Sequence, residues 1–200
     1  MSTVRTRPLL IIAFSLPLLL GGCLSFGGKT PETLLSLTAD AAVPIGETVS
    51  SANAKSISIT VPAVPQSLAT ARVPVQANNT SIAYLKDAAW VEPPQRLFAR
   101  VLADTVSART GRVVLSTAQS FSDPGARMSG ELRNFGVDAT TSEAVVTFDA
   151  ALIRNGGQAV EKRRFEARVP VMEIAAAPVG VALNQGANKV AGEVADWVGR

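Results

Sequence analysis

The sequence predicts an α+β fold, a largely antiparallel sheet with two main helices packed on one face. Two segments place apolar residues at spacings of three and four, as helices with one buried side do. The last long strand-like segment is apolar on one face and charged on the other, which is typical of a sheet with one solvated face. The turn sequence Asn155-Gly156-Gly157 joins two strands as a hairpin. We therefore expect a single α+β domain over residues 33–200.

The first 22 residues have the order of a bacterial secretory signal peptide. Arg5 and Arg7 form a basic start, and the uncharged apolar run Leu9–Leu20 follows. That run of about 12 residues is shorter than the roughly 20 that a membrane-spanning helix needs. We therefore expect residues 1–22 to be removed as a signal peptide.

The signal peptide ends in a motif that resembles the lipobox of bacterial lipoproteins. Leu20, Gly21 and Gly22 precede Cys23, the single cysteine of the chain. Small residues there let the extended backbone enter a peptidase, and the thiol can accept a diacylglycerol. The alternative is that Cys23 is an ordinary small residue, but its distance from the apolar run favours acylation. We expect Cys23 to be the lipid-modified N-terminus.

The next part of the chain is expected to link this lipid anchor to the folded domain. Residues 23–32 contain Gly27 and Gly28 and are predicted to be a flexible tether. The short apolar run Thr33–Leu37 is compatible with a first strand. Ala39–Lys55 is rich in small and polar residues and is predicted to be a loop.

The middle of the chain alternates short strands with one helix. Ser56–Val61 predicts a strand with Ile57, Ile59 and Val61 on one face, stopped by a proline. Pro93-Pro94 opens a helix, and Gly111 ends it. Further strands are expected at Arg72–Gln76, Ser81–Leu85 and Arg112–Ser116. The apolar side of the helix consists of Leu97, Phe98, Val101, Leu102, Thr105 and Val106.

Three longer strands and a final helix complete the predicted domain. The strands are expected at Arg127–Asp138, with an irregularity near Phe135-Gly136, at Glu143–Arg154 and at Ala159–Val171. Pro178 is predicted to open the last helix. Its apolar side consists of Val179, Leu183, Ala187, Val190, Val194 and Trp197.

The composition excludes several kinds of active site. The chain has no histidine, and its one cysteine is assigned to the lipid, which excludes Ser-His-Asp and Cys-His catalysis and His- or Cys-ligated zinc. We expect no cofactor and no metal. The formal net charge of +3 falls to about +1 without the signal peptide. The sequence has no basic stripe, so we expect no nucleic acid partner. A hydrolase that uses only paired carboxylates remains open.

One segment stands out for its aromatic residues. It holds Tyr84, the only tyrosine of the chain, and Trp90, one of two tryptophans, just before the first helix. Buried aromatic residues usually serve packing, which favours a loop anchored to the core. The alternative is contact with a partner protein, since loops on a rigid scaffold often carry such contacts.

Several short motifs together resemble the ABC-type transport auxiliary lipoprotein family. The resemblance runs from about Thr33 to the end of the chain, although many members have a tyrosine in the first strand where this chain has Thr33-Leu34-Leu35. The matching motifs are Ile57-x-Ile59-x-Val61-Pro62, Tyr84-Leu85, Ala88-x-Trp90, Leu97-Phe98, Gly130-Glu131-Leu132 with Phe135, Thr147-Phe148-Asp149-Ala150, Arg164-Phe165, Ala182-Leu183-Asn184 and Ala187-Asn188.

The resemblance implies a non-enzymatic accessory lipoprotein. Its partners would be an ABC permease and a substrate-binding protein of the mammalian-cell-entry type, in a system that moves phospholipid between inner and outer membranes. By similarity to enterobacterial sorting, Leu24 after the lipidated cysteine favours the outer membrane, with the inner membrane as the alternative. A structural envelope lipoprotein that binds another periplasmic assembly is the second hypothesis. The sequence leaves the oligomeric state open, a homo-oligomer included.

Overall fold

A computed structural model describes residues 33–52, 54–119, 125–154 and 157–200. The predicted signal peptide, the lipobox residues Leu20, Gly21 and Gly22, and Cys23 with its tether lie outside the described residues. The turn at Asn155-Gly156 also lies outside them. The strands and helices that follow are those of the described part of the chain.

The order of elements confirms the predicted α+β class. Most predicted elements are present with shifts of a few residues at their ends, and β2 and β3 are longer than expected. The strands are β1 (Ser56–Ile59), β2 (Arg72–Asn78), β3 (Ser81–Ala89), β4 (Val113–Leu115), β5 (Ala126–Asp138), β6 (Glu143–Arg154) and β7 (Val160–Pro170). The helices are α1 (Pro94–Thr110) and α2 (Ala176–Gly199), and short 3₁₀ turns lie at Gln66–Leu68 and Thr117–Gln119.

Strand β5 is the centre of the sheet. One edge pairs antiparallel with β6 along its whole length, and β7 continues the sheet beyond β6. The other edge is shared by two strands that both run parallel to β5: β1 pairs with its beginning and β2 with its end. Strands β4 and β3 lie outside these two. The sheet is therefore mainly antiparallel, with parallel contacts on one side of β5.

Both helices pack on one face of this sheet, as predicted. Every residue of the two predicted apolar stripes is buried. Helix α1 reaches the sheet through Phe98, whose ring centroid lies 5.3 Å from that of Phe148 and 6.5 Å from that of Phe135. Neither helix of the described residues is long and apolar enough to cross a membrane.

The predicted helix ends are confirmed at α1 and shifted at α2. Pro94 is the first residue of α1, and Gly111 ends it with φ of 65°, a left-handed conformation that glycine adopts without strain. Helix α2 begins at Ala176 rather than at Pro178. Pro178 is tolerated there because the backbone N–H groups of a first turn have no partner within the helix.

Three local predictions are wrong in detail. Val61 is exposed, because β1 ends at Ile59. Within Thr33–Leu37 only Leu35 pairs with another segment, in a single parallel bridge to Trp90. The irregularity of β5 falls between Leu132 and Asn134 rather than near Phe135-Gly136.

The two features of β5 have different physical causes. The bulge places Arg133 and Asn134 next to each other on exposed positions, which shifts the alternation by one residue and returns Phe135 to the core. Gly136 instead allows β5 and β2 to approach each other closely, because a Cβ at this position would overlap the carbonyl oxygen of Pro74 in β2.

Candidate functional site

The face of β5, β6 and β7 opposite the helices, called the open face here, carries a network of ion pairs. Its best-formed pair joins Arg164 to Asp149, with Nε to Oδ1 at 2.6 Å and Nη2 to Oδ2 at 2.7 Å. Arg133 lies 3.6 Å from the same carboxylate. The two parallel bonds fix the orientation of both planar groups on neighbouring strands of the open face.

A second group of charges is centred on Arg168. Its guanidinium lies 2.9 Å from Glu166, 3.2 Å from Glu143 and 3.9 Å from Asp138. The buried hydroxyl of Thr147 donates a hydrogen bond of 2.9 Å to Glu166. One arginine therefore serves carboxylates from β5, β6 and β7.

These contacts hold the carboxylates in the ionised form. The hydrogen bond from Arg164 lowers the pKa of Asp149, and that from Thr140 lowers the pKa of Asp138. Burial raises the pKa of Glu166, but bonds from Thr147 and Arg168 outweigh it, and the net shift is downward. A general acid at neutral pH needs a raised pKa. The three carboxylates with lowered pKa values are therefore unsuited to that role.

A small groove of about 200 Å³ lies at one end of the open face. Val145 of β6 lies beneath it, and Pro74 and Ile82 of β2 and β3 form an apolar side. The polar residues Arg133 and Arg168 also line it. Since both guanidinium groups already contact carboxylates, the groove has a mixed apolar and polar lining without a free cationic site at these two arginines.

The structure places Tyr84 beside this groove. Its hydroxyl donates a long hydrogen bond of 3.4 Å to the carbonyl of Ser67, which lines the groove. The guanidinium of Arg72 lies over its ring, 3.9 Å from the centroid. Tyr84 thus fixes the 3₁₀ turn Gln66–Leu68 against β2 and β3.

Trp90 lies in the core instead. It is 1% exposed, and its ring centroid is 5.4 Å from that of Phe135. The two aromatic residues are therefore not brought together. Between them the strand bulges at Asp87, whose φ of 52° is left-handed. Aspartate tolerates this conformation better than most residues.

Two asparagines of α2 hold the segment that leads into the domain. The backbone N–H of Thr38 donates to Asn184 Oδ1 at 2.9 Å, and that of Asp40 donates to Asn188 Oδ1 at 2.8 Å. Asn188 Nδ2 in turn donates to the carbonyl of Thr38 at 2.9 Å. These contacts replace the strand pairing that the segment lacks. Two asparagines one helical turn apart, beside an apolar stripe, were the sequence signal for them.

The fold and this site define a class of protein: an α+β domain with a groove on an open sheet face and an N-terminal segment that runs along its last helix. Within the described residues, no group of three or more acidic, histidine or cysteine side chains is placed to hold a metal ion. Residues 36–195 match the family model described as ABC-type transport auxiliary lipoprotein component, and the chain belongs to this family. That membership implies a membrane-anchored place in the cell envelope and association with an ABC transport system.

Solved structures share the fold. A Xanthomonas campestris protein is 18% identical, with a TM-score of 0.67, and the match covers 83% of this chain and 94% of that one. An uncharacterized protein is 16% identical, with a TM-score of 0.63 and coverage of 72% and 92%. The search of curated proteins found no match.

Proposed function

We propose that this protein is the non-enzymatic, lipid-anchored accessory subunit of a mammalian-cell-entry-type phospholipid transport system. It acts with an ABC permease and a mammalian-cell-entry-type substrate-binding protein between the inner and outer membranes. The observation that carries the proposal is the family match over residues 36–195. The ionised, arginine-bound carboxylates of the open face support a binding role over carboxylate catalysis.

The anchor in this proposal is Cys23. Replacing Cys23 by alanine should release the protein from the membrane fraction, because the remaining chain has lost the site of acylation. Cell fractionation with a detergent-phase assay measures this. A Cys23→Ala protein that still enters the detergent phase after removal of its signal peptide contradicts the anchor assignment.

The proposed location is the periplasmic face of the outer membrane. Leu24→Asp is the matched variant, since by similarity to enterobacterial sorting an aspartate at this position retains a lipoprotein in the inner membrane. Density-gradient separation should find the wild type with the outer membrane and the variant with the inner membrane. Wild-type protein found solely in the inner membrane would overturn the proposed location.

Association with the transporter is tested by cross-linking in intact cells. Purification of the acylated protein should recover the permease and the mammalian-cell-entry component, and the Cys23→Ala variant should recover much less. Genes for a permease, an ATPase and a mammalian-cell-entry protein next to this gene would also support association with such a transporter. Recovery of another periplasmic assembly with no transporter component would instead favour a structural envelope lipoprotein.

A further inference from the structure

The segment that leads into the domain runs along α2 in the same direction as the helix. Leu35 contacts the helix at Gly180, Thr38 binds Asn184, and the next contact lies one turn further at Asn188. Residue 33 therefore lies beside the beginning of α2. This end of the molecule is called the anchor end here.

Exposed apolar side chains cluster around the anchor end. Leu34 and Val91 flank the bridge between Leu35 and Trp90, where the N–H of Val91 donates to the carbonyl of Leu35 at 2.9 Å. The other members lie in the connection from β7 to α2 and in its second turn. The anchor-end patch consists of Leu34 (47% exposed), Val91 (54%), Met172 (100%), Ile174 (37%) and Val181 (60%).

The solvent-facing side of α2 changes from apolar to polar along the helix, with its apolar part at the anchor end. Near its beginning it exposes Pro178 and Val181, whereas beyond Asn184 it exposes Gln185 and Lys189. A surface helix ordinarily carries polar residues on its whole outer side. On α2 the exposed apolar residues are thus concentrated where the chain leaves the domain.

The distance to the anchor is short. About ten residues separate Cys23 from Thr33, which limits their span to roughly 35 Å when fully extended, and a flexible chain of that length averages roughly 17 Å. Helix α2, with 24 residues, is about 36 Å long. An acylated Cys23 therefore brings the anchor end close to the bilayer and leaves the opposite end of α2 free to lie far from it.

We propose that the anchor-end patch is a membrane-contact surface that rests in the headgroup region of the bilayer holding the acyl chains of Cys23. This inference depends on the proposed acylation. Apolar side chains of this number bind a bilayer weakly by themselves, but an acyl anchor supplies the attachment and the patch sets the orientation. Exposed Glu173 within the patch fits contact at headgroup depth rather than in hydrocarbon.

The test places a single thiol-reactive fluorophore on the full-length acylated protein. Acylation blocks the thiol of Cys23, so Met172→Cys or Val181→Cys supplies the only reactive cysteine. Ile45→Cys is the matched control, because Ile45 is an exposed apolar residue and its neighbour Pro44 shares a cleft with Gly111 at the far end of α1. The proteins are reconstituted in vesicles of phosphatidylethanolamine and phosphatidylglycerol, with or without doxyl-labelled phosphatidylcholine.

We expect an environment-sensitive fluorophore at 172 and 181 to shift to the blue and to lose emission to the doxyl lipid, and the fluorophore at 45 to do neither. Equal signals at all three sites would overturn the inference. A blue shift at 172 and 181 without doxyl quenching would also overturn it, since residues 24–32 or another protein would then cover the patch. Failure of acylation is distinguishable, because Cys23 itself would then react with the fluorophore and the protein would not stay with the vesicles.

Discussion

The two faces of strands β5 to β7 differ in the interactions that their side chains make, although neighbouring residues of the same strands supply both. On the helix-covered face Phe148 and Phe165 are buried among aromatic rings. On the open face the next residue along β6, Asp149, binds the residue before Phe165 in β7, Arg164. The covered face removes apolar area from water, whereas the open face balances charge in water.

The comparison indicates where stability and variability reside. Burial of large apolar side chains contributes a few kcal/mol each, whereas exposed ion pairs contribute little because water screens them. The covered face should therefore determine whether the domain folds. The open face and its groove can change with little loss of stability, which suits a surface that meets partners.

The largest expected effect is that of Trp90→Ala on the covered face. Removing a buried indole should lower the free energy of unfolding by about 3–5 kcal/mol, because the cavity collapses only partly. Thermal unfolding of the detergent-solubilised protein measures this. If the variant melts like the wild type yet no longer supports envelope integrity, Trp90 serves a partner and not the core.

Two adjacent valines of β6 test the comparison most directly. Val146 packs on the covered face against α2, where a Cβ on Gly186 would lie 3.0 Å from its methyl group, whereas Val145 lines the groove of the open face. We expect Val146→Ala to lower the free energy of unfolding by about 2–3 kcal/mol and Val145→Ala by roughly 1 kcal/mol, since water can fill the open site. Urea denaturation measures the loss of unfolding free energy in each variant. Equal losses in the two variants would contradict the proposed difference between the two faces.

Tyr84→Phe should have a smaller effect. The substitution removes only the hydroxyl that bonds Ser67, while the ring beneath Arg72 remains. We expect a loss of about 1 kcal/mol or less, measured in the same urea series. A loss as large as that of Trp90→Ala would contradict the expectation that only one hydroxyl contact is removed.

The smallest effect is expected for Asp149→Asn, and it should depend on pH. The folded-state pKa of Asp149 lies below its unfolded value, so its ion pair stabilises the fold above the unfolded pKa and that contribution is lost as pH falls through the folded pKa. The difference in Tm between wild type and variant should therefore be small at neutral pH, begin to shrink at about pH 4, the ordinary pKa of an aspartate, and vanish only below the folded-state pKa. A difference that grows at low pH would contradict the assignment.

The periodic parts of the fold were predictable, because local patterns determine them. The buried stripes of both helices and the hairpin of β6 and β7 follow from residues close in sequence. The parallel contacts of β1 and β2 with one edge of β5 were not predictable in this way. They join segments about 60 or more residues apart, and no local turn specifies them.

The site was harder to predict than the fold. Tyr84 and Trp90 look like one aromatic segment in the sequence, but on either side of the bulge at Asp87 one holds the 3₁₀ turn beside the groove and the other is a core residue. The ion-pair network also depends on the register between strands, which the alternation of Lys162 to Arg168 indicated only for its own strand.

The bonds of Asn184 and Asn188 in α2 to the segment that leads into the domain have a mechanical consequence. A lipoprotein is pulled through its anchor whenever its partner and its membrane move apart. Such a pull on residue 33 acts along the segment that lies parallel to α2, so the bonds of Leu35, Thr38 and Asp40 to their partners are loaded in shear and share the force. Part of the load passes through Thr38 and Asp40 into the longest helix of the domain, and part passes through Leu35 to Ala89 at the end of β3.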